Sequence, residues 1–212
     1  MERTAQQQRA AAFAHVVEQI RAVVQQEYAA DQRLTPECVA SVLKPYLYEP
    51  DLLTPEQREP DPSAYRQHVL HVERDGSFSV VALVWLPGQA TPIHDHVSWC
   101  VVGVYEGQEL ETRYRHRTDA TDSREYLIED GHSINRSGSV AALMPPGDIH
   151  RVTNNGIGLA ISLHVYGADI GKLGSSIRRY YDMEVRPAGN SLSAEKSEAS
   201  RRAGNEEVER SA

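Results

Sequence analysis

The chain has 212 residues, with 22 Lys and Arg against 30 Asp and Glu, a formal charge of −8 at pH 7. That length suits one domain with a real hydrophobic core plus appendages, and the acidic balance argues against nucleic acid and anionic membranes as partners. No apolar run approaches the roughly 20 residues of a membrane span, and the arginine pairs at 178–179 and 201–202 are too short to form a basic patch. The opening MERTAQQQRAAAF has no signal-peptide core, because charge and glutamine interrupt it throughout. Two cysteines, Cys38 and Cys100, are too few for a disulfide-stapled secreted fold, so a reducing cytoplasm is expected.

In chain order, residues 5–29 are expected to form an amphipathic helix, since Phe13, Val16, Val17, Ile20, Val23 and Val24 recur at three- and four-residue spacing. A second helix is expected after Thr35-Pro36-Glu37, with Thr35 as cap, Val39, Val42 and Leu43 on its apolar side, and Pro45 as its stop. Residues 48–62 are proline-rich and acidic and read as a loop. From about residue 65 the texture becomes β-rich. Short runs occur at Val69–Val72, Phe78–Trp85, Val101–Tyr105, Arg113-Tyr114, Ser139–Met144 and Ala160–Tyr166. Turn signals separate them: Asp75-Gly76, Pro87-Gly88, Glu106-Gly107, Asp130-Gly131, Pro146-Gly147 and Asn155-Gly156. The pattern predicts a mainly β fold, a sandwich or a barrel. The division expected is an N-terminal helical segment over 1–60 packed on the barrel, a barrel over 61–186, and a tail over 187–212. That tail has too few large apolar groups to offset the entropy of ordering and is expected to be disordered.

Two stretches carry chemistry. One runs from Gly88 through His94, Asp95 and His96 to Cys100 and on to Gly107; the other runs from Pro145 through Gly147 and His150 to Asn154. Residues i and i+2 of a strand share a face, so His94 and His96 can aim together into a barrel. A third imidazole from His150 can close one side of a metal site and leave positions open for substrate and dioxygen. Three imidazoles also suit zinc, nickel or copper, and unrelated surface histidines are the plainer reading of each motif alone. On the last strong run, Ser162, His164 and Tyr166 share a face and could form a hydrogen-bonded chain, or three inward polar groups that merely satisfy one another. Trp85, Trp99 and Val101 read as packing. His68 and His71 read as half-buried structural histidines, and His15, His116 and His132 as surface residues on a helix or in loops.

Both stretches resemble the two cupin motifs, with one departure: Cys100 stands where the cupin glutamate ligand would be. This swap is similar to that of the cysteine dioxygenase family of thiol dioxygenases, as are Ser162-Leu-His164-Val-Tyr166 and His150-Arg-Val-Thr-Asn154. The similarity spans roughly residues 65–175. The resemblance implies a single cupin (jelly-roll) barrel holding Fe(2+) on His94, His96 and His150. It implies a small thiol and O2 as reactants, a sulfinate product that takes both oxygen atoms, and Ser162, His164 and Tyr166 as a catalytic relay. In cysteine-selective relatives an arginine follows a tyrosine by two positions near the first core strand. Here the segment is Tyr65-Arg66-Gln67-His68, so Gln67 and Tyr65 are implied as substrate-binding, in the glutamine-type branch associated with 3-mercaptopropionate. Arg178 or Arg179 could supply charge from beyond the barrel. The resemblance also implies that Cys100 and Tyr166 can form a thioether crosslink, against the alternative of a small buried cysteine filling space. A different metal-dependent cupin enzyme would call for a glutamate near Cys100, and none lies between His96 and Glu106. A non-enzymatic small-molecule-binding cupin leaves Ser162, His164 and Tyr166 together unaccounted for.

Overall fold

All seven residues of Ser79–Trp85 and all seven of Ala160–Tyr166 are buried in the computed structural model, which describes residues 2–29 and 36–188. Strands that read SVVALVW and AISLHVY can be buried on both faces, because they offer apolar or mutually satisfied side chains to each side. The expected cap Thr35 and residues 189–212 of the expected tail lie outside the described residues.

The chain divides into two units. The first, residues 1–113 and 131–182, opens with α1 (Glu2–Ala29) and α2 (Pro36–Leu43). Helix α2 ends at Leu43, but Pro45 does not stop the coil outright: the chain tightens into a 3-10 turn over Lys44–Tyr48, where proline is tolerated in the first turn. The segment over 48–62 is irregular apart from a short 3-10 turn, Glu56–Arg58.

The strands are β1 (Arg66–Val72), β2 (Ser79–Trp85), β3 (His94–His96), β4 (Cys100–Glu106), β5 (Gln108–Thr118), β6 (Glu125–Arg136), β7 (Val140–Leu143), β8 (His150–Thr153) and β9 (Ala160–Tyr166). The helical turn α3 (Ile170–Leu173) and strand β10 (Ile177–Tyr180) follow. One sheet has the order β1-β2-β9-β4-β7, and β10-β3-β8-β5-β6 run side by side in the other. The strand pattern leads one to expect a sandwich or a barrel, and these two curled sheets are the cupin form of it that the resemblance implies. The turn from β4 to β5 requires Gly107, at φ +73°, because a Cβ there would meet the Leu159 carbonyl oxygen at 2.4 Å.

Strand alternation sorts the side chains. Val80, Ala82 and Val84 of β2, Val101 of β4, and Ile161, Leu163 and Val165 of β9 pack in one cluster with Val16, Val17, Ile20 and Val24 of α1 and Val39 and Leu43 of α2. The intervening residues Val81, Leu83, Trp85, Cys100, Val102, Ala160 and Tyr166 form a second cluster with Val152 of β8. The helices thus cover one face of the first sheet. Its other face, which carries Ser162, His164 and Tyr166 by the same period of two, looks toward the histidine strands.

The second unit comprises residues 114–130 and the chain from Met183. In it the outer half of β6 pairs in parallel with β11 (Val185–Arg186), Val185 opposite Leu127 and Arg186 opposite Ile128. Arg186 bridges Asp119 at 3.3 Å and lies 3.8 Å over the Tyr126 ring. Strand β6 is a correction to the expected turn at Asp130-Gly131. These residues belong to the strand itself, with Gly131 at φ +109°. His116 and His132 lie on strands β5 and β6, not in loops, and His15 is exposed on α1 as expected.

Candidate metal centre

Antiparallel pairing of β3 with β8 sets His94 directly opposite His150, and alternation along β3 brings His96 to the same side. Gly147, at φ +104°, makes the turn that delivers His150 onto β8. The ring centroids lie 4.9 Å (His94–His96), 4.7 Å (His94–His150) and 5.1 Å (His96–His150) apart. One potential ligand atom from each imidazole lies within 4.8 Å of the others, and all three side chains are buried.

Each ring is fixed by its far nitrogen. His94 Nδ1 donates to the Pro92 carbonyl at 2.9 Å, His96 Nδ1 to Asp148 Oδ2 at 2.9 Å, and His150 Nδ1 to Glu111 Oε1 at 2.9 Å. A carbonyl and an ionised carboxylate only accept, so each imidazole carries its proton on Nδ1 and keeps a lone pair on Nε2. Burial would push the carboxyls of Asp148 and Glu111 up, but the facing histidines outweigh it and hold both below the usual carboxylate range. Burial, then the neighbouring His150 and His96, push the His94 imidazole down to about 3, so it is neutral, as a ligand must be. The Nε2 of His150 is buried with no hydrogen-bond partner. A buried lone pair left bare is costly unless something binds it, and three Nε2 lone pairs at this spacing fit a divalent metal that accepts nitrogen ligands. No carboxylate joins this ligand group among the described residues; Glu111 and Asp148 serve the rings from behind.

The imidazoles floor a small cavity of about 130 Å³. Its wall includes Trp85, His164, Tyr166 and Ile170, with Tyr65, Gln67, Ser175, Ser176, Ile177 and Tyr180 toward the outside. Drug-sized ligands occupy ~300–1,000 Å³, so this space suits a molecule of a few heavy atoms. Ser162 Oγ lies 2.9 Å from His164 Nε2, and the Tyr166 hydroxyl lies 3.1 Å from His164 Nδ1, so the three side chains form one continuous chain. Trp85 is not packing alone: its Nε1 donates to Ser162 Oγ at 3.2 Å, its ring stacks 4.5 Å from Tyr65, and it lines the cavity. Gln67 and Tyr65 both line the cavity, with Gln67 exposed at its mouth. Cys100 and Tyr166 are direct cross-strand partners of β4 and β9, a relation that puts Cβ atoms ~4.5–5.5 Å apart on one face.

Arg178 and Arg179 do not join the lining. Arg178 bridges Asp95, the fully buried residue between His94 and His96, and Arg179 stacks 4.7 Å from the Tyr181 ring. Among the described residues no lysine, arginine, aspartate or glutamate lines the cavity. His68 and His71 are half-buried on β1, and neither lines the cavity. The sequence reading missed Asp148, Glu111 and Glu109. Asp148 sits inside the Pro-Gly-Asp-Ile-His stretch, and Glu109 and Glu111 alternate along β5, but an acidic residue on a polar strand carries no mark of facing inward.

A cupin barrel with a three-histidine metal site at the base of a small cavity is therefore the class to which fold and geometry point. The chain belongs to the cysteine dioxygenase type I family, whose model it matches over residues 1–180. Members of that family are thiol dioxygenases dependent on non-haem iron. Similar solved structures include a protein of Thermus thermophilus (21% identity, 53% of this chain and 91% of that one, TM-score 0.40). A cupin superfamily protein of Desulfitobacterium hafniense shows 14% identity over 52% of this chain and 84% of that one, with TM-score 0.39. A double-stranded β-helix protein of Klebsiella pneumoniae shows 20% identity over 54% and 85%, with TM-score 0.38.

Proposed function

We propose that the protein is an Fe(2+)-dependent thiol dioxygenase that oxidises 3-mercaptopropionate in preference to L-cysteine, giving the sulfinate. His94, His96 and His150 would hold the iron. When bound, Fe(2+) supplies the one-electron chemistry that lets O2 react with a sulfur anion. The observation that carries the substrate reading is the cavity wall, which offers neutral donors and no side-chain charge.

The thiol's carboxylate is bound at the mouth by the Gln67 amide and the Tyr65 hydroxyl. An amide is a weaker, neutral donor than the bidentate guanidinium of an arginine at that position. The ammonium of cysteine meets no carboxylate in the wall, and burying an unpaired charge is costly; 3-mercaptopropionate carries no ammonium. Three neutral imidazoles leave the metal's charge uncompensated, which favours a thiolate. Trp85, Leu83 and Ile170 exclude water from the reacting sulfur, and Tyr166, held by His164, presents its hydroxyl to it. Burial keeps the Cys100 thiol and the Tyr166 phenol protonated, each pushed well up. Turnover is expected to join a fraction of these two side chains by a thioether: the S–H and one ring C–H break, a C–S bond forms, and the two hydrogens and two electrons pass to a molecule of the co-substrate O2, which leaves as hydrogen peroxide. The adduct would appear in peptide mass spectra as one joined peptide, and full alkylation of denatured Cys100 after turnover would refute it.

The deciding experiment is anaerobic loading with Fe(2+), followed by oxygen uptake on a panel of small thiols. The expected result is a higher kcat/KM for 3-mercaptopropionate than for L-cysteine, with Gln67→Arg moving the ratio toward cysteine by about tenfold, the scale of ~1.4 kcal/mol expected of one charged hydrogen bond. A wild-type protein that strongly prefers cysteine would refute the substrate assignment.

A further inference from the structure

The segment just before the first ligand strand is laced to β8 and the residue after it. Gly88 N–H donates to the Asn154 carbonyl at 2.9 Å, Asn154 N–H to the Gln89 carbonyl at 2.9 Å, and Thr91 N–H to the Val152 carbonyl at 2.9 Å. The return bond is out of pattern: Val152 N–H donates to Thr91 Oγ1, at 3.0 Å. Two residues facing each other in a hydrogen-bonded antiparallel pair exchange both N–H···O=C bonds, and here the Thr91 side chain takes the bond that its carbonyl would take. The hydroxyl is therefore fixed to β8 through backbone and side chain together. Thr91 is only 7% exposed, and it lines the same cavity as His94, His150 and Tyr166.

A hydroxyl has one proton and two lone pairs. Accepting from Val152 uses a lone pair and leaves the proton, and among the described residues no acceptor takes it. The rest of the inner wall is poor in spare donors. Leu83, Val152 and Ile170 carry none, and the Trp85 indole N–H is committed to Ser162. Tyr65, Gln67, Ser175, Ser176 and Tyr180 lie toward the mouth.

We propose that the Thr91 hydroxyl is a catalytic hydrogen-bond donor to the oxygen atoms that the substrate sulfur gains. This rests on the thiol dioxygenase reading above. A thiolate and O2 give a sulfinate with atoms and charge conserved: the O–O bond breaks, two S–O bonds form, sulfur gives up four electrons and the two oxygens take them. The single negative charge thereby moves from one large, weakly accepting sulfur to two small, strongly accepting oxygens. A donor at that place is worth more to the product, and to the states leading to it, than to the bound thiolate. That difference is what speeds a chemical step instead of merely tightening binding. Tyr166 offers a hydroxyl from the first sheet and Thr91 offers one from the side of β8, so each sulfinate oxygen can find a donor. Because β8 already holds the Thr91 oxygen, the donor needs only to turn its proton.

The test compares the two ligands between which that charge moves, on full-length, Fe(2+)-loaded protein. Anaerobic titration calorimetry gives Kd for 3-mercaptopropionate and for its sulfinate in wild type, Thr91→Val and Thr91→Ser. Valine keeps the β-branched shape and removes the hydroxyl; serine restores it. Thr91→Val should weaken the sulfinate about tenfold, the scale of one hydrogen bond to a charged group, and leave the thiol within about twofold. Thr91→Ser should keep both within about twofold. Oxygen uptake should show the matching split in Thr91→Val, with kcat down about tenfold and KM unchanged. Removing the hydroxyl also strips the Val152 N–H of its acceptor, and a purely structural role would act through that loss on both ligands alike. Equal weakening of thiol and sulfinate, or weakening of neither, overturns the donor role, and so does a wild-type protein that binds the thiol but not the sulfinate. If the valine variant does not hold iron, Thr91→Cys carries the same comparison, since a thiol accepts and donates weakly: the sulfinate should weaken about threefold more than the thiol, or the role fails. A wild-type protein that takes up iron but binds neither ligand overturns the dioxygenase reading and this role with it.

Discussion

The floor of the cavity and its mouth are built on opposite principles. On the floor every histidine is fixed twice, by burial and by an acceptor on its far nitrogen, so ring positions and tautomers are settled before any metal arrives. At the mouth Tyr65, Gln67, Ser175, Ser176 and Tyr180 are neutral and half-buried or exposed, drawn from β1, the residue before it and the segment after α3. A metal site gains from preorganisation, since ligands held a fraction of an ångström off lose affinity. An entry for small anions gains from adaptable neutral donors. The fold places strictness in paired strands and tolerance in their periphery.

The sharpest way to break the comparison is to remove a ligand. His94→Ala, His96→Ala and His150→Ala should each abolish iron retention, read by metal analysis of purified protein, while circular dichroism still shows a folded β protein. Stoichiometric iron in any one of them would remove that histidine from the ligand set. Next in size is Glu109. Its folded-state carboxyl is raised by burial to about 7 from 4.5, so the folded protein binds the proton more tightly than the unfolded chain. The corresponding stability is fully present below pH 4.5 and is lost as pH rises through about 7. The loss amounts to about 3 kcal/mol. Chemical denaturation of wild type against Glu109→Gln at pH 5 and pH 8.5 measures it: wild type should lose stability relative to the variant at the higher pH, and a constant difference would contradict the raised value. The third change acts from behind the rings. Asp148→Asn and Glu111→Gln keep the shape but weaken the acceptor, and metal affinity should fall about 10- to 100-fold in competition with a chelator. If these variants bound metal as tightly as wild type, the far-nitrogen contacts would be packing and no more.

Much of the floor was legible in the sequence because it is written in periodicity. His94 and His96 two apart, and Ser162, His164 and Tyr166 two apart, declare a shared face, and the glycine turn before His150 declares its strand. The β-rich runs gave the cupin sheets for the same reason. What stayed hidden were partners defined only by folding. Glu109, Glu111 and Asp148 look like any other acids of a chain with 30 of them, and their burial depends on which strand lies opposite. Strand β6 was missed because its polar residues alternate weakly and Asp130-Gly131 mimics a turn; tertiary pairing overrode the local signal. Arg178 was read as a possible substrate contact, since no sequence pattern reveals that a buried aspartate between two ligands would claim it first.

That claim supplies the smallest prediction, at the junction of floor and mouth. Strand β10, which carries the mouth residues Ile177 and Tyr180, pairs with the ligand strand β3, and the register shifts between Ile177 and Arg179. A bulge at this point frees Arg178 from the ordinary alternation and turns its guanidinium onto Asp95. Asp95 is fully buried and also accepts from the Tyr181 hydroxyl at 2.8 Å. Arg178→Ala would leave that carboxylate with one neutral donor. Breaking a fully buried pair costs about 3–5 kcal/mol, but the Arg178 side chain is 51% exposed, so water can replace much of what is lost. We expect about 1 kcal/mol, nearer the value of a surface pair. The consequence for turnover should be lopsided. Loosening β10 disturbs the mouth that holds the carboxylate, while each ligand ring keeps its own far-nitrogen anchor, so KM for the thiol should rise several-fold with iron content unchanged and kcat within about twofold, the pattern of lost uniform binding. Steady-state oxygen uptake separates the cases. A fall in kcat or iron content equal to the rise in KM would mean that Asp95 relays the disturbance to His94 and His96, and that floor and mouth are one mechanical unit.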